Sequence, residues 1–579
     1  MSAAAQLLAV ALSPAMAQPY FTDQAVAAGV GEEMNISGSP QDKEYILEAH
    51  GSGAAFFDYD NDGDQDLYVV NGSDFDHYHG RSGPGNLLYR NRGDGTFGDV
   101  TDVAAVGDAG WGAGCAVGDI DNDGFDDLYV TNYRANVLYH NSGESHFADI
   151  TAAAGVGGEA YSAAAAFFDY DNDGDLDLYS ASYVAFDLKD NPRTGCDYLG
   201  GIKTYCGPLG MAGGADVLYR NDGDGGRFTD VTAASGVSRA STYYGLGVMP
   251  SDYDGDGDLD LYVANDQTPN VLFNNKGDGT FEDVALISGV AYSSDGDEEA
   301  GMGVDFGDFD NDGDDDLYVT NFFRESNTLY RNAGGRFADF TVEAGIEAVT
   351  MNKLGWGTRF ADFDNDGDLD LFVANGHVFP GVDDAATGTT YRQTNQLLRN
   401  DTTDGTVDFV DISASAGPGM AIEKVSRGAA FADYDDDGDV DVFVVNLNDT
   451  PTLLRNELIG DGNRPDRGNW RASSNWLVVE VGGATAAGVN GGGRGTRVRV
   501  VNGGHTQFRT IEGAGSYLSH SDQRAHFGLG SAQRADLVEV EWLDGSKQTA
   551  TAVPANRTVT ARGGRGRSGE LSVGGEEKR

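Results

Sequence analysis

The chain of 579 residues carries 38 basic and 93 acidic side chains, a formal net charge of −55, and is 40% hydrophobic. That apolar fraction supports a packed core and excludes wholesale disorder, while the charge excludes nucleic acid and anionic membrane surfaces as partners, because polyanions repel one another. With 84 glycines against 13 prolines, the composition suits many tight turns between short strands.

Residues 1–17 read as a signal peptide. Leu7, Leu8, Val10 and Leu12 form a short apolar run that ends in the cleavage pattern Ala15-Met16-Ala17, although no Lys or Arg precedes it. No later stretch approaches the ~20 apolar residues of a membrane span. The expected product is secreted, extracellular or periplasmic, with no integral membrane segment.

Residues 18–456 repeat. The pattern D-x-D-x-D-G-x-x-D followed by an apolar strand begins at Asp58, Asp119, Asp169, Asp252, Asp308, Asp362 and Asp433. Each copy is preceded by a small-residue strand such as Gly53-Ala-Ala-Phe-Phe57 and followed by an alternating strand such as Leu67-Tyr-Val-Val-Asn71. A third segment ends in Asn at 91, 141, 221, 275, 332, 400 and 456, and a fourth begins at Phe97, Phe147, Phe228, Phe281, Phe337 and Phe409. Four short strands per unit make a propeller blade. The fourth strand missing after Asn456 sits at the other end, where Phe21-Thr-Asp matches Phe228-Thr-Asp. The expectation is an all-β, seven-bladed propeller whose N-terminal strand completes the last blade and removes a sheet edge.

The loop chemistry points to calcium, which takes six to eight oxygen ligands. Positions 1, 3, 5 and 9 supply carboxylates, Gly at position 6 allows the turn, and position 7 offers its carbonyl. The expected ligand sets, about seven ions in all, are Asp58, Asp60, Asp62, Asp64 and Asp66; Asp119, Asp121, Asp123, Phe125 and Asp127; Asp169, Asp171, Asp173, Asp175 and Asp177; Asp252, Asp254, Asp256, Asp258 and Asp260; Asp308, Asp310, Asp312, Asp314 and Asp316; Asp362, Asp364, Asp366, Asp368 and Asp370; and Asp433, Asp435, Asp437, Asp439 and Asp441. Phe125 at position 7 fits a backbone ligand. An EF-hand would need Glu at position 12, where Val69, Val130, Ser180, Val263, Val319, Val373 and Val444 stand, and flanking helices in place of strands. Magnesium resists full dehydration and suits such loops less well.

In a four-stranded blade the acidic loops join strands one and two, so the 2–3 connections lie on the opposite, upper face. Long insertions there carry His77 and His79, Tyr198 and Tyr205, and His377 and Tyr391, while His50, Trp111 and Tyr244 stand eight residues before calcium loops, at the channel mouth. These nine are the candidate partner-binding residues; the alternative is that the aromatics fill the channel. A histidine-based transition-metal site among His50, His77, His79 and His377 is a further reading. Cys196 and Cys206 are expected to form a disulfide after export, and Cys115 to be a buried free thiol. Arg92-Gly93-Asp94 spells an adhesion tripeptide, but the same turn recurs as Lys276-Gly-Asp278.

Beyond a polar linker at 457–475, residues 476–561 carry short strands such as Leu477-Val-Val-Glu-Val481 joined by glycine turns, suiting a small β-sandwich. Residues 562–579 are Gly/Arg/Glu-rich and expected to be disordered.

The blades resemble the FG-GAP/VCBS repeats of integrin α-subunit propellers and of secreted bacterial proteins. Gly493-Arg-Gly-Thr-Arg-Val-Arg499, Gly513-Ala-Gly-Ser-Tyr-Leu-Ser519, His526-Phe-Gly-Leu-Gly530 and Val538-Glu-Val-Glu-Trp-Leu-Asp-Gly545 resemble the ASPIC/UnbV domain. The combination resembles the cartilage acidic protein family, which implies an extracellular, calcium-binding interaction protein. Two functions follow as expectations. One is a non-catalytic recognition or adhesion module that grips an extracellular protein or glycan through the upper face. The alternative is a calcium-stabilised carbohydrate-active enzyme of lyase or dehydratase type, using upper-face His, Tyr and Asp. No nucleophile elbow, HExxH or phosphate loop appears.

Overall fold

The computed structural model describes residues 19–80, 83–143, 145–187, 195–199, 201–223, 225–238, 243–402, 406–458, 474–483, 493–563 and 569–571. The expected signal peptide, most of the linker and most of the C-terminal tail lie outside the described residues.

Seven four-stranded antiparallel sheets follow one another along the chain. The first is Ala54–Phe57, Asp66–Val69, Leu87–Asn91 and Phe97–Asp99. The last combines Ser426–Ala432, Asp441–Asn446 and Thr452–Asn456 with the N-terminal Phe21–Asp23. The pairing there is Phe21 with Asn456, Thr22 with Arg455 and Asp23 with Leu454. The displaced strand therefore occupies the place of a fourth strand, and the two ends of the repeat region meet.

Second strands such as Asp66–Val69 are buried at every position. Period-two side chains can all be apolar only where both faces of a sheet are covered, as when blades stack. Phe56, Leu67 and Tyr89 of the first blade share a core with Ala430, Phe443 and Leu453 of the last. Corresponding clusters join the first blade to the second and the fifth to the sixth. The innermost strands pack side by side in chain order, and the last packs against the first.

The C-terminal unit has a three-stranded sheet of Ala525–Gly530, Asn475–Gly483 and Thr558–Gly563. A five-stranded sheet runs in the order His505–Thr510, Arg497–Asn502, Arg534–Glu541, Lys547–Pro554, Gly569–Glu570. Leu477, Val500, Phe527, Val538 and Trp542 fill one core between them. The segment from 562, expected to be disordered, contributes a strand end and an edge strand, and Leu571 is buried in that core. Leu571 is the large apolar residue of an otherwise polar stretch, which gives that stretch something to bury.

Residues 511–522 leave this unit and run among the innermost propeller strands. Leu518 O accepts from Cys115 N at 3.2 Å, Ser516 O from Val304 N at 3.0 Å, and His520 N donates to Ala54 O at 2.9 Å. Tyr517 is fully buried, its hydroxyl 3.3 Å from His50 O and its ring 4.8 Å from Trp356. Gly53 is required at this crossing, since a Cβ there would stand 1.7 Å from Leu518 O.

Candidate metal centres

Each acidic loop is organised by its own backbone. In the first, Asp58 accepts from Asp62 N at 3.1 Å and Gly63 N at 2.8 Å, and Asp62 accepts from Asp64 N at 3.1 Å. Asp119 and Phe125 in the second loop, and Asp362 and Asp368 in the sixth, repeat the arrangement. Position 9 is tied at both oxygens in the first loop, where Asp66 accepts from Asn91 N and Tyr59 N.

Position 3 is different. Among the described residues, one carboxylate oxygen each of Asp60, Asp121, Asp171 and Asp435, and both oxygens of Asp310 and Asp364, are buried without a hydrogen-bond partner, Asp310 being ion-paired with Arg331. Asp254, the seventh equivalent, is exposed. A buried carboxylate oxygen left unpaired costs its full desolvation, so its repetition at one loop position marks a place shaped for a cation. Ligand atoms of Asp58, Asp60 and Asp62, of Asp119, Asp121 and Asp127, of Asp169, Asp171 and Asp177, and of Asp252, Asp254 and Asp260 lie within 4.8 Å of one another. An all-oxygen donor set of this kind suits a hard divalent ion.

Burial, reinforced by neighbouring carboxylates, holds the position-9 acids high: Asp66 is pushed up to about 8 and Asp260 to about 9. Burial likewise raises Asp308 at position 1 to about 8. Because these folded-state values lie above the unfolded value near 4, the metal-free fold takes up protons. The stability they contribute is fully present below about pH 4 and is lost as pH rises from there through the folded values of about 8–9. An ion must displace those protons. Binding of a divalent ion near pH 7 is therefore expected to release protons, with apparent affinity rising with pH. Calorimetry in buffers of different ionisation enthalpy reads this directly, and equal heats in both would contradict it.

Third-strand cations reach into the loops. Arg90 meets Asp60 at 2.9 Å and Arg455 meets Asp435 at 2.7 Å. In the second blade the equivalent residue is His140, whose Nε2 lies 2.9 Å from Asp121, and which forms a ligand group with Asp121 and Asp123. The sequence reading passed over these residues, although the recurring Leu-Tyr-Arg-Asn was their signal.

Two asparagine positions link the loops. The third-strand Asn binds its own loop and the preceding one: Asn141 donates to Asp126 O and Tyr59 O, and Asn91 of the first blade reaches Tyr434 O of the seventh at 2.8 Å. The position-4 Asn binds the next loop: Asn61 to Gly124 O, Asn122 to Gly174 O, Asn172 to Asp258, Asn311 to Asp368 and Asn365 to Gly438 O. These five have φ near +57°, which Asn tolerates. The series is interrupted at Gly255 and Asp436, which have no amide to offer.

On the opposite face, His50, Trp111, Tyr205, Tyr244 and His377 are buried in one aromatic core around the channel. The His50 ring stands 4.5 Å from Tyr183, and burial, reinforced by Arg427, pushes both His50 and His377 down to about 3, so both are neutral. Arg427, itself fully buried, stacks 4.1 Å from Trp356 and donates to the carbonyls of Ala49, Gly376 and His377. Cys196 and Cys206 are disulfide-bonded and close the hairpin Cys196–Tyr198, Ile202–Thr204. That hairpin carries half-buried Tyr198 to within 4.7 Å of Phe379 and 5.7 Å of His377. Tyr391 is half-buried, and His77 is exposed on a short helix beside Asp74 at 2.6 Å. The side chain of His79 lies outside the described residues. Cys115 is a buried free thiol. The Arg92-Gly93-Asp94 turn is exposed, with Asp94 capping Thr96 in its own turn as Asp278 caps Thr280.

Comparison with known proteins places names on both units. The FG-GAP-like repeat model matches residues 58–130, 119–180, 209–263, 252–319 and 308–373, and the ASPIC and UnbV model matches 487–568. The chain is 30% identical over 333 residues to cartilage acidic protein 1 of Homo sapiens, and 31% identical over 333 residues to that of Mus musculus. These matches cover 55% of this chain but only 43% and 44% of the relatives. Among solved structures, it aligns with an Agrocybe aegerita lectin at 16% identity and TM-score 0.36, covering 65% of this chain and 88% of that one. It also aligns with the BP39L lectin of Burkholderia pseudomallei at 10% identity and TM-score 0.40, covering 69% and 94%. This chain carries FG-GAP-like repeats followed by a C-terminal ASPIC and UnbV domain.

Proposed function

We propose that this protein is a secreted recognition module, a closed seven-bladed wheel stiffened by calcium in its acidic loops, which binds an extracellular protein or glycan through the upper face. The repeated orphaned oxygen at position 3 carries the metal part of this reading, since among the described residues no group satisfies it. The placement of the C-terminal domain on the loop face supports the rest, because it leaves the upper connections as the long surface loops. Rigid scaffolds present binding residues on such loops. His77, Tyr198 and Tyr391 remain at least partly accessible there, whereas His50 and His377 act within the packed channel.

A panel of glycans and extracellular matrix proteins tests this. Binding is expected only in the presence of calcium, and His77→Ala with Tyr391→Ala is expected to weaken it about tenfold or more, the scale of one lost hot spot, without lowering the melting temperature. Retention of full affinity in that double variant would remove the upper face from the reading. Turnover of a polysaccharide in the same assay would replace recognition with catalysis.

A further inference from the structure

The C-terminal domain sits on the acidic loops, and not on all of them alike. In the fifth loop, Arg497 donates to Gly313 O and Thr510 donates to Asp315 at 2.6 Å. In the sixth, Gly528 N donates to Asp362 and Gly530 N to Asn365 O, both at 2.9 Å. In the seventh, Arg524 donates to Asp433 O at 3.2 Å, and Trp476 covers Gly438, where a Cβ would stand 1.9 Å from the indole nitrogen.

Apart from Gly528 N on the Asp362 carboxylate, these contacts use backbone carbonyls and positions 4, 6 and 8, whose side chains are not among the expected ion ligands. They leave position 3 open, and Asp364 keeps both oxygens orphaned while 1% exposed. Asp362 alone serves both purposes, holding its own loop through Gly367 N and the domain through Gly528 N. Ion binding and docking are therefore compatible at each loop, and they share a requirement: carbonyls and the Asp362 carboxylate are aimed at the domain only when the loop is folded. Charge does not reverse the sign. Four carboxylates still outweigh one divalent ion, so the facing arginines remain attracted.

We propose that the loops of the fifth, sixth and seventh blades are a metal-organised seat for the C-terminal domain, so that ion binding there and docking of the domain strengthen each other. This rests on the metal reading above. A site covered by a docked domain is also shielded from water, so its ions exchange more slowly than those of the first loop, whose Asp62 and Gly63 are exposed.

Hydrogen exchange on the full chain, with calcium and with EDTA, tests the coupling. Removing calcium is expected to speed exchange at His520, Gly528 and Gly530, whose amides donate to the propeller, about tenfold or more, within the range of ordinary coupling between sites. Val498 and Val538, inside the domain's own sheet, are expected to change less. By reciprocity, Arg524→Ala is expected to lower calcium affinity at the most tightly held sites by a similar factor. If equilibrium dialysis shows calcium bound and protection at 516–530 is the same in EDTA, the coupling is wrong and the metal reading stands. If no calcium binds, both fall.

Discussion

Adding EDTA is expected to lower the melting temperature of this protein by roughly 10 °C. On the proposed reading, with calcium in all seven loops at about tenfold above each dissociation constant, binding contributes on the order of 1.4 kcal/mol per site, or roughly 10 kcal/mol in all. An unfolding entropy of about 2.1 cal/mol/K per residue, over a repeat region of about 440 residues, makes each degree worth about 0.9 kcal/mol. The loss is expected to be largest above pH 7, where the buried acids of the empty loops ionise against one another, and smaller near pH 5, where protons stand in for the ion. Calorimetric scans at both values check the size and the pH trend together. An unchanged melting temperature in EDTA at pH 8 would remove the metal from the account of stability.

Trp356→Ala is expected to cost about 3–5 kcal/mol, the range for deleting a buried large aromatic. The indole is 1% exposed, lies 4.8 Å from Tyr517, carries the Arg427 guanidinium at 4.1 Å and donates to Gly376 O at 2.8 Å. Its loss leaves a cavity at the meeting point of the sixth blade, the seventh blade and the inserted segment 511–522. It also exposes a buried cation that has carbonyl partners and no carboxylate among its hydrogen bonds. Trp356→Phe keeps a ring beneath Arg427 but loses the indole donor and the volume of the second ring, so it is expected to cost less than Trp356→Ala. Chemical denaturation of the two variants measures how much of the loss the remaining ring recovers. A cost below about 1 kcal/mol for Trp356→Ala would mean that the channel collapses freely around the gap.

Cys196 and Cys206, ten residues apart, are joined in the structure, and the N-terminal Phe21 strand lies against the strand ending at Asn456. Both were legible because each is a departure from an otherwise regular series: two cysteines in one insertion, and one strand missing from one end and present at the other. The Asp-Gly spacing of the loops and the apolar second strands are equally local, since they record backbone turns and period-two burial within a few residues.

What required the tertiary structure was every contact between repeats. Asn61 looks like an ordinary turn residue until the next loop brings Gly124 O against it. His50 and Trp111 read as residues of the channel mouth and His377 as one of an upper loop, with packing as the alternative, and the structure buries all three among aromatic rings. Gly513–Ser519 reads as a motif of the C-terminal domain, and only the assembled blades show it inserted among inner strands. The sequence by itself determined the repeating unit, its number and its acid spacing, because these follow from neighbours along the chain. The assembled wheel decided which polar groups face one another and which aromatics are shut away, because those depend on residues hundreds of positions apart.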